Sequence, residues 1–362
     1  EPEDDDYPKK EEFPDFLKNF GPRGVLHCWA NPDGTQKIEN TGPLTRKRME
    51  TCDDDFLAAA EKFMKKQNDA GVPFFVWFNT THMHFRTHSK PESKGQAGRW
   101  QSPYHDTMID HDRVIGELLK LLDKMGIAEN TIVMYSTDNG PHCNTWPDAG
   151  TTPFRAEKNT NWEGAYRVPC MVRWPGKIKP GSISNQIVSH LDWLPTLVAL
   201  AGDPNVTQKL LAGDKVGDVT YKVHLDGYNL VPYLTGQVDK SPRDSFIYCN
   251  DDQQVVGLRY DNWKLVFLEQ RAPGTLLVWA NPFTNLRVPK IFNLRTDPYE
   301  RADITSNTYY DWLLDRAFLL VPAQAYIGKF LETFKEYPPR QKADSFNLDS
   351  VMKKLMESGG SK

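Results

Sequence analysis

Asp138, Asn139 and Gly140 close the stretch "TIVMYSTDNG", in which an apolar run gives way to oxygen-bearing side chains. Neighbouring side chains of a regular strand point to opposite faces, but a turn at Gly140 lets a carboxylate and an amide oxygen converge. Two such hard donors suit calcium or magnesium; a turn in which they bond their own backbone is the competing reading. A second group, "NTTHMHFRTH", sets His82, His84 and His88 behind the apolar run "VPFFVWF". Their spacing is neither that of H-E-x-x-H nor that of a zinc finger. One of them can give a proton to a leaving oxygen, the alternative being ordinary hydrogen-bonded surface residues. The third group, "PFRAEKNTNWEGAYRVP", offers Lys158. Its ammonium donates in several directions and so matches a tetrahedral anion, although the residue type alone fits any surface lysine.

These groups need a frame. Phe56, Leu57, Ala60, Phe63 and Met64 recur at helical spacing behind "CDDD", whose carboxylates suit a helix start, and predict a helix over 53–66. The run at 72–78 lacks polar alternation and reads as a strand buried on both faces. Ile115, Leu118, Leu119, Leu122 and Met125 predict another helix ahead of "TIVMY", so strand, helix and strand follow one another as in a parallel sheet. Asp138 and Asn139 then lie just outside the carboxyl end of a strand, where open α/β sheets bind ligands. "VPCMVRW" at 168–174 reads as a further central strand, and 187–202 as a helix in which Pro195 marks an early turn or a kink.

Beyond residue 242 the texture changes to short aromatic and β-branched runs, "SFIYC", "QVVGLRY" and "WKLVF", with a turn at Asp261-Asn262. They predict an antiparallel sheet, with a helix around 313–332 packed nearby. The division is therefore 1–242, an α/β domain, and 243–362, a smaller sheet-and-helix subdomain. The first 50 residues, rich in proline, glycine and charge, read as a surface excursion.

The 362 residues suffice for one large core or two domains, and a net charge of -4 gives no electrostatic case for a nucleic-acid partner. Apolar runs are too short to span a bilayer. The opening "EPEDDDYPKKEEF" is charged and is no signal peptide, which leaves the compartment open. The five cysteines form no C-x-x-C pair, so neither a zinc site nor a redox dithiol is indicated.

Taken together, "PFFVWFNTTHMHF", "LDKMGIAENTIVMYSTDNG", "FRAEKNTNWEGAYRVPCMVRWPG", "LDWLPTLVALAG" and "IFNLRTDPYERAD" resemble the type I sulfatase family, arylsulfatase-like enzymes of the alkaline phosphatase superfamily. The resemblance implies an alkaline-phosphatase-like α/β fold, a mostly parallel sheet flanked by helices, incomplete at its N-terminus and followed by the antiparallel subdomain. It implies hydrolysis of sulfate monoesters, with Asp138 and Asn139 as calcium ligands. His82, ahead of His84, would contact the ester and its leaving oxygen, and Lys158 the sulfate. Apart from the resemblance, the aromatic loop 141–154, with Trp146, reads equally as the lining of an entrance to the site or as ordinary core or surface packing.

The family pattern also holds a paired-aspartate metal motif and a C/S-x-P-S-R segment whose Cys or Ser becomes formylglycine. Neither occurs here: Cys28 precedes Trp29, Ala30 and Asn31, and Cys170 precedes Met171, Val172 and Arg173. The expectation is a carboxyl-terminal portion that lacks a nucleophile, turns over nothing alone and binds calcium weakly or incompletely. Its partners would be a small sulfate ester and either an upstream fragment of the same protein or a second copy, with no nucleic acid and no transmembrane segment. Family resemblance favours a periplasmic or secreted location. Two alternatives stay open: a phosphomonoester or phosphodiester hydrolase of the superfamily, and a noncatalytic scaffold or binding protein with the sulfatase fold.

Overall fold

The structure is a computed structural model that describes residues 2–19, 24–84, 86–143, 151–272 and 274–340. The chain divides into two compact units, residues 1–131 with 142–150, and residues 132–141 with 151–362.

In the first unit, β1 (Gly24–Ala30) and β2 (Gln36–Pro43) form an antiparallel hairpin whose residues are mostly exposed, in keeping with a surface excursion. Helix α1 (Cys52–Asp69) buries Ala60 and Met64 from its apolar stripe, whereas Phe63 stays 42% exposed. Helix α2 (Pro103–Lys124) starts well upstream of its apolar stripe. The Ser102 side chain accepts from the Tyr104 amide, and Pro103 occupies a position where a missing N–H costs nothing. Val114, Leu121 and Leu122 give α2 its buried seam.

The predicted strand at 72–78 is not formed: among the described residues nothing pairs with this run, and Phe75 and Trp77 are 66% and 81% exposed. An unbroken apolar run encodes a preference for burial on two faces; a strand also needs a hydrogen-bonding neighbour, and local composition does not supply one.

In the second unit, β3 (Val133–Ser136) pairs with β4 (Cys170–Arg173), Val133 facing Arg173 and Ser136 facing Cys170. The pair is antiparallel, against the expectation of two parallel strands; β-propensity places a strand but not its direction. Between them lies the short helix α3 (Glu163–Tyr166). Ser189 and Asp192 make a reciprocal capping box on a 3-10 turn that leads into α4 (Trp193–Leu200), so Pro195 falls in the first turn, where the chain tolerates it.

The predicted antiparallel sheet is present. Strands β5 (Ser245–Cys249), β6 (Val255–Tyr260), β7 (Trp263–Glu269) and β8 (Thr284–Asn293) are ordered β8-β7-β6-β5, with the β6–β7 turn at Asp261 and Asn262. Asp261 takes the left-handed φ of 49° that such a tight turn uses. The helical region divides into α5 (Tyr309–Leu314) and α6 (Leu320–Glu336). Its core joins Trp162 to Leu258, Leu265, Ile291, Phe292 and Leu313. No helix among the described residues is long and apolar enough to cross a membrane.

Candidate active site

The histidine group belongs to the first unit. The three aspartates that open α1 each leave the helix for a different partner. Asp55 pairs with Arg48 at 2.9 Å, and Asp54 pairs with Lys90 and with Arg113. Asp53, only 2% exposed, turns to the segment behind the unpaired run. Its Oδ1 accepts from the Thr81 amide at 2.8 Å and the Thr81 hydroxyl at 2.9 Å. Its Oδ2 accepts from the His82 amide at 3.2 Å and lies 2.9 Å from His82 Nδ1.

His82 is itself buried, and its Nε2 lies 3.4 Å from the His88 carbonyl. Burial pulls the imidazole pKa down, but the Asp53 carboxylate outweighs burial and holds it above the ordinary 6.5. Burial pushes Asp53 up, and the bonds it receives from His82 and Thr81 bring it below the usual carboxylate value. Two residues on, His84 is exposed. The far end of the same loop is held by α2, where Asp110 accepts from the Lys90 amide at 3.0 Å and Asp106 from the Gly95 amide at 2.7 Å.

Asp138, Asn139 and Lys158 belong to the second unit. Asp138 is exposed and Asn139 half-buried, with its Nδ2 donating to the Gly140 carbonyl at 2.8 Å. That bond uses the donor side of the amide and leaves its oxygen for a cation, which fits a hard-oxygen site. Two oxygens are fewer than calcium's usual six to eight, and the described residues contain no cluster of three or more His, Cys, Asp or Glu suited to a metal.

Gly140 is needed for close approach: a Cβ there would stand 1.8 Å from the Gly164 carbonyl oxygen. The Gly140 amide donates to Ala165 O at 2.8 Å, and the Lys158 amide to Pro141 O at 3.0 Å. The Asp138–Asn139 turn and the Lys158 loop are thus laced together through the backbone. Ala156 and Asn159, on either side of Glu157 and Lys158, take φ of 59° and 67°, an uncommon backbone state for non-glycine residues.

What fixes these loops is a buried charge cluster that local sequence patterns gave no means to find. Glu163 receives Lys264 Nζ at 3.1 Å, Tyr248 Oη at 2.8 Å and Arg167 Nε at 2.8 Å. Lys264, fully buried, also reaches Glu300 at 2.7 Å, and Glu300 accepts from the Glu163 amide at 2.7 Å. Burial pushes Glu163 up, but Lys264 and Arg259 drive its pKa far below the usual value. For Glu300, burial and the neighbouring Glu163 charge outweigh Lys264, and its pKa is raised. Trp146 lies outside the described residues.

Residues 3–203 match the model of the Sulfatase family. Arylsulfatase A of Bos taurus is 30% identical over 262 residues, which cover 69% of this chain and 48% of that protein. Steryl-sulfatase of Rattus norvegicus is 30% identical over 316 residues, 81% of this chain and 50% of the relative. The chain spans about half the length of the curated relatives it matches. Among solved structures, the PsFucS1 sulfatase from Pseudoalteromonas sp. superposes with a TM-score of 0.70 at 25% identity, over 92% of this chain and 64% of that one. Ps i-CgsB, in complex with k-i-k-neocarrahexaose, gives a TM-score of 0.59 at 20% identity, over 85% of this chain and 60% of that one, a likeness of fold alone.

Proposed function

The chain belongs to the sulfatase family and has its alkaline-phosphatase-like α/β fold, and from that premise we propose that it forms part of an enzyme hydrolysing sulfate monoesters to an alcohol or phenol and sulfate. The observation that supports the reading is the backbone lacing of the Asp138–Asn139 turn to the Lys158 loop, which holds within one unit the two segments whose side chains we assign to the cation and to the sulfate. A sulfate ester asks for that combination, since charge on its non-bridging oxygens must be balanced while the ester oxygen leaves.

In this family calcium supplies charge balance at the sulfuryl oxygens and formylglycine supplies the attacking oxygen. Asp138 and Asn139 would hold part of the calcium shell. No Cys or Ser in residues 1–362 is followed by x-Pro-Ser-Arg, so no step of attack is assigned to this chain. Lys158 binds the sulfate oxygens and holds the ester in place. The resemblance put His82 first as the contact to the leaving oxygen. With one ring nitrogen against Asp53 and the other near the His88 carbonyl, His82 is better suited to orient its segment, and exposed His84 to reach the substrate.

The unpaired run 72–79 supports a companion strand. It edges an open groove of about 400 Å³ whose opposite wall is Phe56, Ala60 and Phe63 of α1. We assign it to a strand from a segment of the same protein outside residues 1–362, ahead of a second copy. Residues 1–362 alone are expected to show no turnover of 4-nitrophenyl sulfate. A complete enzyme, made by joining a formylglycine-bearing segment to this chain, is expected to turn it over and to lose on the order of a hundredfold in kcat/KM with Lys158→Ala. Turnover of phosphate esters but not sulfate esters by that enzyme would favour the phosphohydrolase alternative. Activity untouched by Lys158→Ala would end the assignment of the lysine.

A further inference from the structure

We infer that Asp53 is the positioning residue of the histidine loop: its one carboxylate clamps the amides of Thr81 and His82 and the imidazole of His82, and so fixes where the exposed His84 stands. The inference rests on the proposed sulfatase reading only for what His84 then does.

The geometry argues against an ordinary helix-start carboxylate. An acidic residue in the first turn normally faces solvent near the free amides, where its charge meets the positive end of the helix. Asp53 is instead buried and bonded 28 residues away, to two successive backbone N–H groups and a hydroxyl. Its α1 neighbour Cys52 also contacts Thr81, with Sγ 3.4 Å from the hydroxyl. The loop needs such a clamp because the run preceding it has no strand partner among the described residues. Its backbone is held from the α1 side by Asp53 and from the α2 side by Asp110 and Asp106, with Thr80 bonded to His111 Nδ1 at 2.9 Å.

A carboxylate against a buried imidazole also makes the clamp respond to pH. The groups that act on His82 are Asp53 from α1, Asp110 and His111 from α2, and the His88 carbonyl from its own loop. His82 is raised above 6.5, so its contribution is complete below about 6.5, its unfolded value, and is lost as pH rises through the folded value. Asp53 is lowered below 3.8, so its contribution is present above the unfolded value and is lost as pH falls through the folded one. The clamp is therefore tightest in mildly acidic solution and slackens on the alkaline side. Burial lowers His111 below its ordinary value, so as pH rises it loses its proton before His82 does.

Hydrogen–deuterium exchange of residues 1–362, read peptide by peptide, tests this. Asp53→Asn is expected to speed exchange across 79–90 by on the order of ten- to hundredfold, leaving the β5–β8 sheet unchanged. In the unaltered chain, protection of 79–90, corrected for the intrinsic pH dependence of exchange, is expected to fall as pH rises above about 6.5. His82→Asn keeps a neutral donor beside Asp53 but cannot titrate, so it should hold protection near the alkaline-side level at every pH and flatten that profile. This second variant also serves should Asp53→Asn fail to fold. A profile already flat in the unaltered chain, or unchanged exchange in Asp53→Asn, would overturn the clamp. His84→Ala kinetics in a complete enzyme decide the separate question of substrate contact: unaffected turnover there would remove the role of His84 and leave the clamp standing.

Discussion

The two groups of site residues are held by different physics. Around His82 the backbone is pinned by carboxylates reaching out from two helices, beside an apolar run that no strand among the described residues pairs with and whose Phe75 and Trp77 are exposed. Around Asp138 and Lys158 the loops are laced to each other and to α3, whose Glu163 is locked into the β5–β8 subdomain by Lys264. The first arrangement depends on a few exchangeable hydrogen bonds. The second depends on a desolvated ion cluster, in which removing one partner strands the others.

That contrast predicts its own largest effect. Lys264→Ala leaves Glu163 and Glu300 facing each other without their shared buried cation. The expected cost is about 3–5 kcal/mol, read by urea denaturation of the second unit. A double change, Lys264→Met with Glu163→Gln, should recover much of the loss, because a neutralised cluster pays less desolvation. A cost below about 1 kcal/mol for Lys264→Ala would mean that the subdomain does not hold the lysine loop through this cluster.

Gly140→Ala comes next. The new Cβ would be within 1.8 Å of a backbone oxygen, so the turn carrying Asp138 and Asn139 must shift. About 1–3 kcal/mol of destabilisation is expected, together with weaker response to calcium in thermal melts. An unchanged melt with and without calcium would show that the turn has room that its close packing denies.

The same contrast explains what was legible in the sequence. Helices α1 and α2 were readable because Ala60 and Met64, and Leu122, recur at the helical period. The β6–β7 hairpin was readable because Asp261 and Asn262 are turn formers between β-branched runs. Local patterns do not carry partners. Nothing near Glu163 announces Lys264, 101 residues on, and nothing in "CDDD" distinguishes Asp53, which reaches Thr81, from Asp54, which reaches Lys90. The motif around Asp138 and Asn139 identified a turn, while the antiparallel direction of β3 and β4 depended on a loop and a pairing that no periodicity records. The Ser136 hydroxyl, at the end of β3, meets His190 Nε2 at 3.0 Å, a contact between residues 54 apart that local pattern does not record either.

On the pH scale the two regions should part company. The depressed carboxyl of Glu163 contributes stability that is present above 4.5 and is lost as pH falls through its lowered value. Glu300, raised above 4.5, acts in the opposite sense and softens that acid loss. The His82–Asp53 pair weakens on the alkaline side instead. Exchange profiles of the two units should therefore part on the alkaline side, the first unit losing protection in 79–90 as pH rises above about 6.5 while the second keeps it in β5–β8. Parallel slopes would indicate a global response in place of two local ones.

The smallest effect on folding is expected at Trp77. Its ring is 81% exposed, so Trp77→Ser removes little buried surface and should change stability by no more than about 0.5 kcal/mol. The same change should weaken association with a companion strand strongly, since an aromatic anchor beside an apolar groove is the kind of residue that dominates such an interface. The measurement is co-purification of this chain with a formylglycine-bearing segment, followed by light scattering of the complex. If Trp77→Ser leaves the complex intact while stability is unchanged, the run 72–79 is not the edge that receives the strand. If it costs several kcal/mol of folding, Trp77 is packed in solution, and the difference drawn between an unpaired run beside the histidines and a packed lysine region fails at its first premise.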